Sequence, residues 1–312
     1  MYSRFEAIEN YGKKERKKLQ SSKAAVVGLG ATGSVIAENL ARHGVNLKIV
    51  DRDYLEENDV YSSNIYTPEQ CQKALPKAEA AKLYLQQFTQ VEAFVESLGP
   101  GNTGILDDVD IVLDGTDNIQ SRFLIDGYCQ KNSTPWIYTA AIAEKGYSML
   151  FDSNCFNCVF RKVAAGGIET CETAGVMREI SSQAALKTTY KAVKYLAGKN
   201  IDESLEIIPS GEILDVESDG CEVCRGEKYP ALNGEERTTA VCGEDKYQVQ
   251  TDAGEQAVEK LAELGEVSAE NKYLIRASVN GREISVFDDG RIILRAKDKS
   301  HAEALVSEIM GI

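Results

Sequence analysis

The sequence predicts an α/β fold with a doubly wound, Rossmann-like sheet, an antiparallel continuation of that sheet, and a small α+β unit at the C-terminus. Three observations predict it. Short apolar strands alternate with amphipathic helices up to about residue 146, which is typical of a parallel sheet. The alternation then stops, and predicted strands at 147–152 and 205–216 flank one long helix. Residues 253–312 finally read as a helix, three strands and a closing helix.

The predicted elements follow in chain order. A helical arm runs to about residue 19. Apolar runs predict parallel strands at 24–28, 46–51, 91–98, 110–114 and 136–141. Helical spacing predicts helices at 33–43, 76–88, 119–131 and 175–197. We therefore expect three parts, namely an N-terminal helical arm at 1–22, a main domain at 23–250 and a small α+β domain at 251–312.

Composition and charge exclude several classes of protein. The chain is 43% hydrophobic and 27% charged, which is typical of a globular protein and not of a disordered or fibrous one. No apolar run could span a membrane, and residues 1–23 lack the apolar core of a secretory signal, so we expect a cytoplasmic protein without a membrane partner. The net charge is −14, and basic residues cluster only at 13–18, so no nucleic acid partner is expected.

A glycine motif lies between the first predicted strand and the helix after it. Gly28, Gly30 and Gly33 have the spacing in which a tight turn lets the backbone approach a phosphate at a helix N-terminus. Asp51 ends the second strand 23 residues after Gly28, where a carboxylate can accept hydrogen bonds from ribose hydroxyls. The motif predicts nucleotide binding. It does not distinguish NAD from ATP, and a tight turn without a ligand can have the same spacing.

Four of the eight cysteines form two C-x-x-C pairs, Cys155 with Cys158 and Cys221 with Cys224. Four thiolates are the usual ligand set of a closed, structural zinc site, so we expect Zn²⁺ there without a catalytic role. Because 62 residues separate the pairs, such a site would join two distant segments instead of folding a local finger. The alternative interpretation is four packed or solvent-facing thiols.

Several motifs, taken in chain order, resemble a known family. They are VVGLGATGS, IVDRD, LPKAEAAK, VLDGTDN, the C-x-x-C pair on each side, and TCETAGVM. This order resembles the ThiF, MoeB and HesA group of adenylyltransferases, which are relatives of the ubiquitin-activating E1 enzymes, over about residues 2–250. The resemblance implies that the main domain, with its zinc site, is an E1-like adenylation domain.

The resemblance also implies an activity and partners. Members of the family are homodimers that use ATP and Mg²⁺ to adenylate the C-terminal carboxylate of a small ubiquitin-like carrier protein ending in Gly-Gly, with release of pyrophosphate. A sulfur donor protein then converts the acyl-adenylate to a thiocarboxylate, as in thiamine, molybdopterin or tRNA thiolation pathways. Because a carboxylate attacking a phosphate meets like charge, such a site needs cations that offset the repulsion.

Roles for individual residues follow from the same resemblance. The three glycines would form the loop at the phosphates, Asp51 would hold the ribose, and Asp53 of the same D-x-D motif would also bind the nucleotide. Lys77 matches a lysine that contacts the phosphates, although a lysine near a helix start is otherwise an ordinary solvated side chain.

Two more residues match family positions. Asp117 matches an aspartate near magnesium and the α-phosphate, and it follows a strand at its carboxyl end, where ligands bind in such sheets. A helix N-cap is the alternative role for Asp117. Arg4 resembles an arginine that reaches into the site of the partner subunit, and it would otherwise be a surface charge.

One segment departs from the family pattern. The family has S-N-L-x-R-Q after the D-x-D motif, with an arginine that contacts the ATP phosphates, whereas this chain has E-N-D-V-Y-S-S-N. Alignment puts Ser62 at the arginine and either Asn58 or Asp59 at the asparagine. Two hypotheses follow. Either Arg4 and Lys77 suffice together with an unrecognised base, or the protein binds nucleotide but adenylates weakly or not at all.

Cys171 precedes the predicted helix at 175–197, whose N-terminal dipole would lower the pKa of its thiol. In some relatives a cysteine of this segment bonds covalently to the carrier and in others it is dispensable, and a buried, unreactive cysteine is equally compatible with the sequence.

Two further functions stay open. One is a non-catalytic, nucleotide-binding partner subunit that docks a carrier. The other is an NAD-dependent oxidoreductase, which would leave Lys77, Asp117 and the cysteine pairs without a use.

Overall fold

The computed structural model describes residues 3–164, 175–216, 218, 220–233, 238–240, 246–250, 254–271, 273–287 and 290–310. The chain divides into two compact units. The first unit comprises Met1–Pro68 and Leu75–Gly234, and the second comprises Glu69–Ala74 and Glu235–Ile312.

An eight-stranded sheet forms the centre of the first unit. Its strands are β1 Lys23–Val27, β2 Asn46–Val50, β3 Val91–Phe94, β4 Ile111–Asp114, β5 Trp136–Ile142, β6 Lys145–Phe151, β7 Leu205–Ile208 and β8 Glu212–Leu214. Their order in space is β3-β2-β1-β4-β5-β6-β7-β8. The first five strands pair in parallel, and β6 to β8 extend the sheet in antiparallel fashion. The predicted fold class is confirmed.

Helices cover this sheet. They are α1 Ser3–Glu6, α2 Lys13–Ser21, α3 Gly33–Arg42, α4 Glu57–Ser62, α6 Lys77–Leu85, α7 Ile119–Asn132, α8 Phe156–Ala164 and α9 Arg178–Leu196, whereas α5 Pro68–Gln72 belongs mostly to the second unit. In α3, the apolar residues Val35, Ile36 and Leu40 are buried, as their helical spacing predicts. Helix α9 packs against α3, β5 and β6. No helix in the described parts of the chain has both the length and the apolar character that crossing a membrane requires.

The segment at 52–67, which none of the predicted strands and helices includes, contains the short helix α4. A capping box begins this helix, because the Glu56 side chain accepts from the Asp59 amide while the Asp59 side chain accepts from the Glu56 amide. Such a helix depends on polar side chains that bond to their own backbone. It therefore lacks the apolar periodicity from which the longer helices are predicted.

The second unit is built on a six-stranded antiparallel sheet in the order β11-β12-β13-β14-β10-β9. Its strands are β9 Thr238–Ala240, β10 Lys246–Gln250, β11 Glu266–Glu270, β12 Leu274–Val279, β13 Arg282–Phe287 and β14 Arg291–Arg295, and its helices are α10 Gly254–Leu264 and α11 Lys299–Met310. The core of the unit includes buried Leu261, Val286 and Ile292.

The structure places the start of this unit earlier than the division expected at residue 250. Strand β10 pairs along its length with β14, from Lys246 opposite Arg295 to Gln250 opposite Arg291. Strand β9 pairs in turn with β10. A pairing between segments more than 40 residues apart leaves no local signal, so composition and spacing do not predict it.

Candidate active site and metal centre

The chain leaves β1 and β4 toward opposite edges of the sheet, and the carboxyl ends of these two neighbouring strands frame a crevice. Three glycines pack backbone to backbone at this place. Gly28 adopts a φ of +85°, and a Cβ on it would lie 2.6 Å from the Gly115 carbonyl oxygen. A Cβ on Gly33 would overlap the Gly28 carbonyl oxygen. We call the space bounded by the loops at 28–33, 51–53 and 115–118 the switch-point crevice.

Gly30 differs from the glycines on either side of it. A Cβ built on Gly30 would meet no described heavy atom within 4 Å, so the backbone here faces open space. Packing therefore explains the glycines at 28 and 33 but not the one at 30. An open backbone at the start of α3 is the feature that phosphate binding at a helix N-terminus requires.

Asp51 ties the end of β2 to the glycine loop. Its Oδ2 accepts a hydrogen bond from the Leu29 amide at 2.6 Å, and its Oδ1 accepts one from the Asp53 amide at 2.7 Å. Burial, together with the charge of Asp53, raises the pKa of the Asp51 carboxyl to about 6. Each carboxylate oxygen has a second lone pair, so these bonds leave room for a ligand hydroxyl, and the ribose contact stays a prediction.

Lys77 begins α6 and points at a group of carboxylates. Its Nζ lies 2.9 Å from Oδ1 of Asp59, and its amide donates to the Asp53 carbonyl at 2.8 Å. Burial alone would lower the pKa of the Lys77 ammonium. The carboxylates of Asp53, Asp51 and Asp59 outweigh burial and raise this pKa well above its ordinary value. Lys77 is therefore a permanently charged cation whose position is set by acidic neighbours.

The segment at 57–64, which departs from the family pattern, contains α4. Asp59 is buried and turned toward Lys77, whereas Asn58 is exposed in the first turn of α4. Ser62, at the end of this helix, donates from its hydroxyl to the Asp59 carbonyl at 3.4 Å. Of the two candidates for the asparagine position, the structure therefore turns Asp59 inward.

A buried ion pair holds the loop after β4. Asp114 is fully buried, and its Oδ2 accepts from Nε of Arg122 at 2.9 Å. The same guanidinium donates to the carbonyls of Thr116 at 2.7 Å and Thr139 at 3.1 Å. Burial would lower the pKa of Arg122, but the Asp114 charge raises it. The motifs considered in the sequence do not include this pair. A carboxylate at the end of a buried strand, eight residues before an arginine, could have indicated it.

The alternative role of Asp117 as a helix cap is wrong. Asn118 caps α7, because its Oδ1 accepts from the Ser121 amide at 2.8 Å. Asp117 lies one residue earlier, exposed, at the carboxyl end of β4. Its carboxylate therefore does not cap α7, and its charge is one of those that raise the pKa of Arg122.

Two further predicted site residues are Arg4 and Cys171. Arg4 is exposed in the N-terminal helix α1, and its contact with a second subunit stays a prediction. Cys171 lies outside the described residues.

The four paired cysteines converge, as expected for a metal centre. All four Sγ atoms lie within 4.8 Å of one another. The Cys155–Cys221, Cys158–Cys224 and Cys221–Cys224 sulfur distances are 3.8, 3.7 and 3.9 Å. Four sulfurs at about 2.3 Å from a tetrahedral zinc ion would lie about 3.8 Å apart, so the donor set fits Zn²⁺. We call this group the four-cysteine cluster.

Neighbouring groups hold the cluster and tune its thiols. Burial would raise the pKa of Cys221, but hydrogen bonds from the Cys224 amide and the Asn157 side chain lower it to about 7. The Glu203 carboxylate accepts hydrogen bonds from the amides at 152–154, just before Cys155. The Cys155 amide in turn donates to Oγ of Ser218 at 2.7 Å, which ties the two halves of the cluster together.

Known proteins share sequence and fold with this chain. The model of the ThiF family matches residues 2–213. The sulfur carrier protein ThiS adenylyltransferase of Bacillus subtilis is 28% identical over 99% of both chains. The adenylyltransferase and sulfurtransferase MOCS3 of Drosophila sechellia is 25% identical over 63% of this chain and 45% of its own length. UBA4 of Yarrowia lipolytica, with the same description, is 26% identical over 63% of this chain and 51% of its own.

This chain thus spans about half the length of the MOCS3 and UBA4 relatives. Among solved structures, E. coli MccB with ATP superimposes with a TM-score of 0.58 at 17% identity, covering 68% of this chain and 69% of that one. This likeness supports the fold. The family match spans most of the first unit, including the switch-point crevice and the first cysteine pair. The predicted resemblance is therefore confirmed: the chain belongs to the ThiF family.

Proposed function

We propose that this protein adenylates the C-terminal Gly-Gly carboxylate of a small ubiquitin-like sulfur-carrier protein, using ATP. One observation carries the proposal: at the switch point of the sheet, an open glycine loop lies close to the cation of Lys77, with Asp117 exposed at the end of the adjoining strand. The full-length match to a ThiS adenylyltransferase and the partial matches to MOCS3 and UBA4 support it.

The proposed reaction is a displacement at the α-phosphorus of ATP. A carboxylate oxygen of the carrier attacks the α-phosphorus of ATP, and the bond from that phosphorus to the bridging oxygen breaks. Pyrophosphate leaves with the bonding electrons, and the carrier becomes an acyl-adenylate. Amides of the glycine loop and of the N-terminus of α3 would bind the phosphates. Asp117 would hold Mg²⁺, which supplies further positive charge at the phosphates.

Lys77 would act in this scheme as a fixed cation and not as a base. Its raised pKa keeps the ammonium charged at neutral pH. The ion pair with Asp59 defines where that charge lies before ATP arrives. A charge positioned in advance does not need to reorganise when negative charge develops at the phosphates.

A second candidate function is a nucleotide-binding subunit that docks a carrier without adenylating it. Two features favour it, namely the serine at position 62 and the ion pair that engages Lys77 with Asp59. The NAD-dependent oxidoreductase has no support beyond the glycine spacing and Asp51, and membership of the ThiF family argues against it.

The proposal includes partners and a metal. We expect a homodimer in which Arg4 reaches the site of the other subunit, a sulfur donor protein that consumes the acyl-adenylate, and a role for Cys171 in that later step. Zn²⁺ in the four-cysteine cluster would be structural, because all four positions of a tetrahedral ion are filled by thiolates. A reducing cytoplasm would keep these thiols free for the metal.

The test is exchange of labelled pyrophosphate into ATP in the presence of a carrier that ends in Gly-Gly. We expect exchange with this carrier and none with a matched carrier that lacks its last glycine. Asp117→Asn should lower the exchange rate by about 100-fold or more without changing the melting temperature. Asp108→Asn removes the same charge from an exposed position before β4 and should leave exchange unchanged. ATP binding without exchange for any such carrier would favour the docking subunit instead.

A further inference from the structure

The cations of the switch-point crevice are engaged by neighbouring acids. Lys77 pairs with Asp59, and the buried Arg122 pairs with Asp114. The Nε atom of Arg52 lies 3.6 Å from Oδ1 of Asp53. A triphosphate carries several negative charges, so a crevice whose cations are already balanced by its own acids needs one more positive group.

One arginine at this edge of the sheet has a neutral partner in place of an acid. Arg178 is the first residue of α9 and is exposed. Its Nη2 donates to Oδ1 of Asn64 at 2.7 Å, and an amide oxygen carries no net charge. Among the described residues, no carboxylate lies within ion-pair distance of Arg178. Within the described part of the chain, no acid therefore offsets its charge, and one of its five N–H groups is fixed in direction.

Backbone bonds place the start of α9 at the carboxyl edge of the sheet. Ala143, which follows β5, donates to the Gly175 carbonyl at 2.8 Å and accepts from the Met177 amide at 3.1 Å. Strand β5 neighbours β4, whose end carries Asp117. Arg178, one residue beyond Met177, therefore lies on the same edge as the glycine loop, and α9 packs along α3, which begins at that loop.

The partner of Arg178 also connects it to the glycine loop. Asn64 is two residues before Tyr66, a distance that the chain can span in at most about 7 Å. Tyr66 is buried, and its hydroxyl donates to the Leu29 carbonyl at 2.8 Å. The segment 64–66 thus links the guanidinium to the backbone of the loop proposed to hold the phosphates.

We propose that Arg178, positioned by Asn64, binds the β- and γ-phosphates of ATP and supplies the positive charge that the serine at position 62 does not. This inference rests on the proposed use of ATP by the crevice. A guanidinium is suited to this task because it stays charged at all relevant pH values and can bind phosphate through two parallel N–H groups. Arg178 would then be a binding residue on α9, in a different part of the chain from the segment where the family arginine lies.

The experiment measures the affinity of the full chain for ATP and for AMP, without a carrier, by isothermal titration calorimetry. Arg178→Gln should weaken ATP binding by about tenfold or more and AMP binding by less than about twofold, since AMP lacks the two outer phosphates. Lys194→Gln removes one positive charge from the same helix, farther from its N-terminus, and should bind both nucleotides like the wild type. Asn64→Ala, which releases the guanidinium, should weaken ATP binding by a smaller factor of about three.

Each result bears on the inference. Equal ATP affinity of Arg178→Gln and wild type would overturn it, and so would an equal loss for ATP and AMP. A variant that binds ATP normally but needs more carrier for pyrophosphate exchange would also overturn it, because Arg178 would then recognise the carrier tail. Because Arg178 is exposed, its replacement should leave the melting temperature within about 1 °C. A wild-type chain that binds no ATP would instead contradict the proposed function itself.

Discussion

The switch-point crevice and the four-cysteine cluster lie in the same unit but differ in how their functional side chains interact. In the cluster, four groups of one kind converge in an arrangement that fits a single metal ion. In the crevice, charged groups of both signs pair with each other, and only some remain for a ligand. Residue type and spacing therefore predict the cluster. The charges that the crevice leaves for a ligand depend on which acidic and basic side chains pair with each other, and the sequence does not show those pairs.

The largest effect should come from breaking the cluster. Cys155→Ser removes one of four thiolates, and because structural zinc contributes folding free energy directly, we expect the melting temperature to fall by about 10 °C or more. Zinc measured by atomic absorption should drop from about one ion per chain to nearly none. Cys71→Ser, outside the cluster, should keep its zinc. Equal zinc content in both variants would contradict the assignment of the four ligands.

The buried ion pair of the crevice should give the next largest effect. Arg122→Gln leaves Asp114 buried without its cation, which should lower the free energy of unfolding by about 3 kcal/mol. Lys73 forms an exposed pair with Glu69, so Lys73→Gln should cost about 0.5 kcal/mol or less. Urea unfolding measures both. If the two substitutions cost the same, the pair at the end of β4 does not hold the loop as described.

Asp51 should make the stability of the crevice depend on pH. Its pKa is about 6 in the folded chain and about 4 when unfolded, so folding takes up a proton between these values. The free energy of unfolding should therefore fall as pH rises from about 4 to about 6, by about 1 to 3 kcal/mol, and then level off. Asp51→Asn should remove this part of the pH dependence. Urea unfolding of the two chains at pH 4, 5, 6 and 7 would show parallel curves if Asp51 titrates normally.

The smallest effect concerns a carboxylate beside the cluster. Glu203 accepts hydrogen bonds at 152–154, and although burial opposes them, these bonds lower its pKa. Its contribution is present above the unfolded pKa of about 4 and is lost as pH falls through the lower folded value. Because the side chain is partly exposed, Glu203→Gln should cost only about 0.5 to 1 kcal/mol at pH 7. Glu212→Gln, on the exposed strand β8, is the matched control and should cost less.

The parallel sheet could be predicted because each strand is a buried apolar run with its own turn signals. Strand β2, expected at 46–51, is found at Asn46–Val50, and β4, expected at 110–114, at Ile111–Asp114. Features that depend on long-range pairing could not be predicted. Strand β10 joins the second sheet through β14, and helix α4 is begun by polar caps without an apolar face.

The same distinction applies to the candidate site. The glycine motif, Asp51 and the four cysteines are recognisable from residue type at fixed spacing. The Lys77–Asp59 and Arg122–Asp114 pairs are not, because the partners' identity depends on how the loops fold back. Arg178 has no local motif at all. Its relation to Asn64 spans 114 positions of sequence and is visible only in three dimensions.

Intact mass spectrometry of the carrier shows whether the switch-point crevice transfers AMP from ATP to a protein carboxylate. After incubation with ATP, Mg²⁺ and this protein, but no sulfur donor, a carrier ending in Gly-Gly should gain the mass of one adenylyl group. Treatment with hydroxylamine should remove that group, as expected for an acyl-adenylate. An unchanged carrier mass, with ATP shown to bind under the same conditions, would mean that the crevice does not adenylate the carrier.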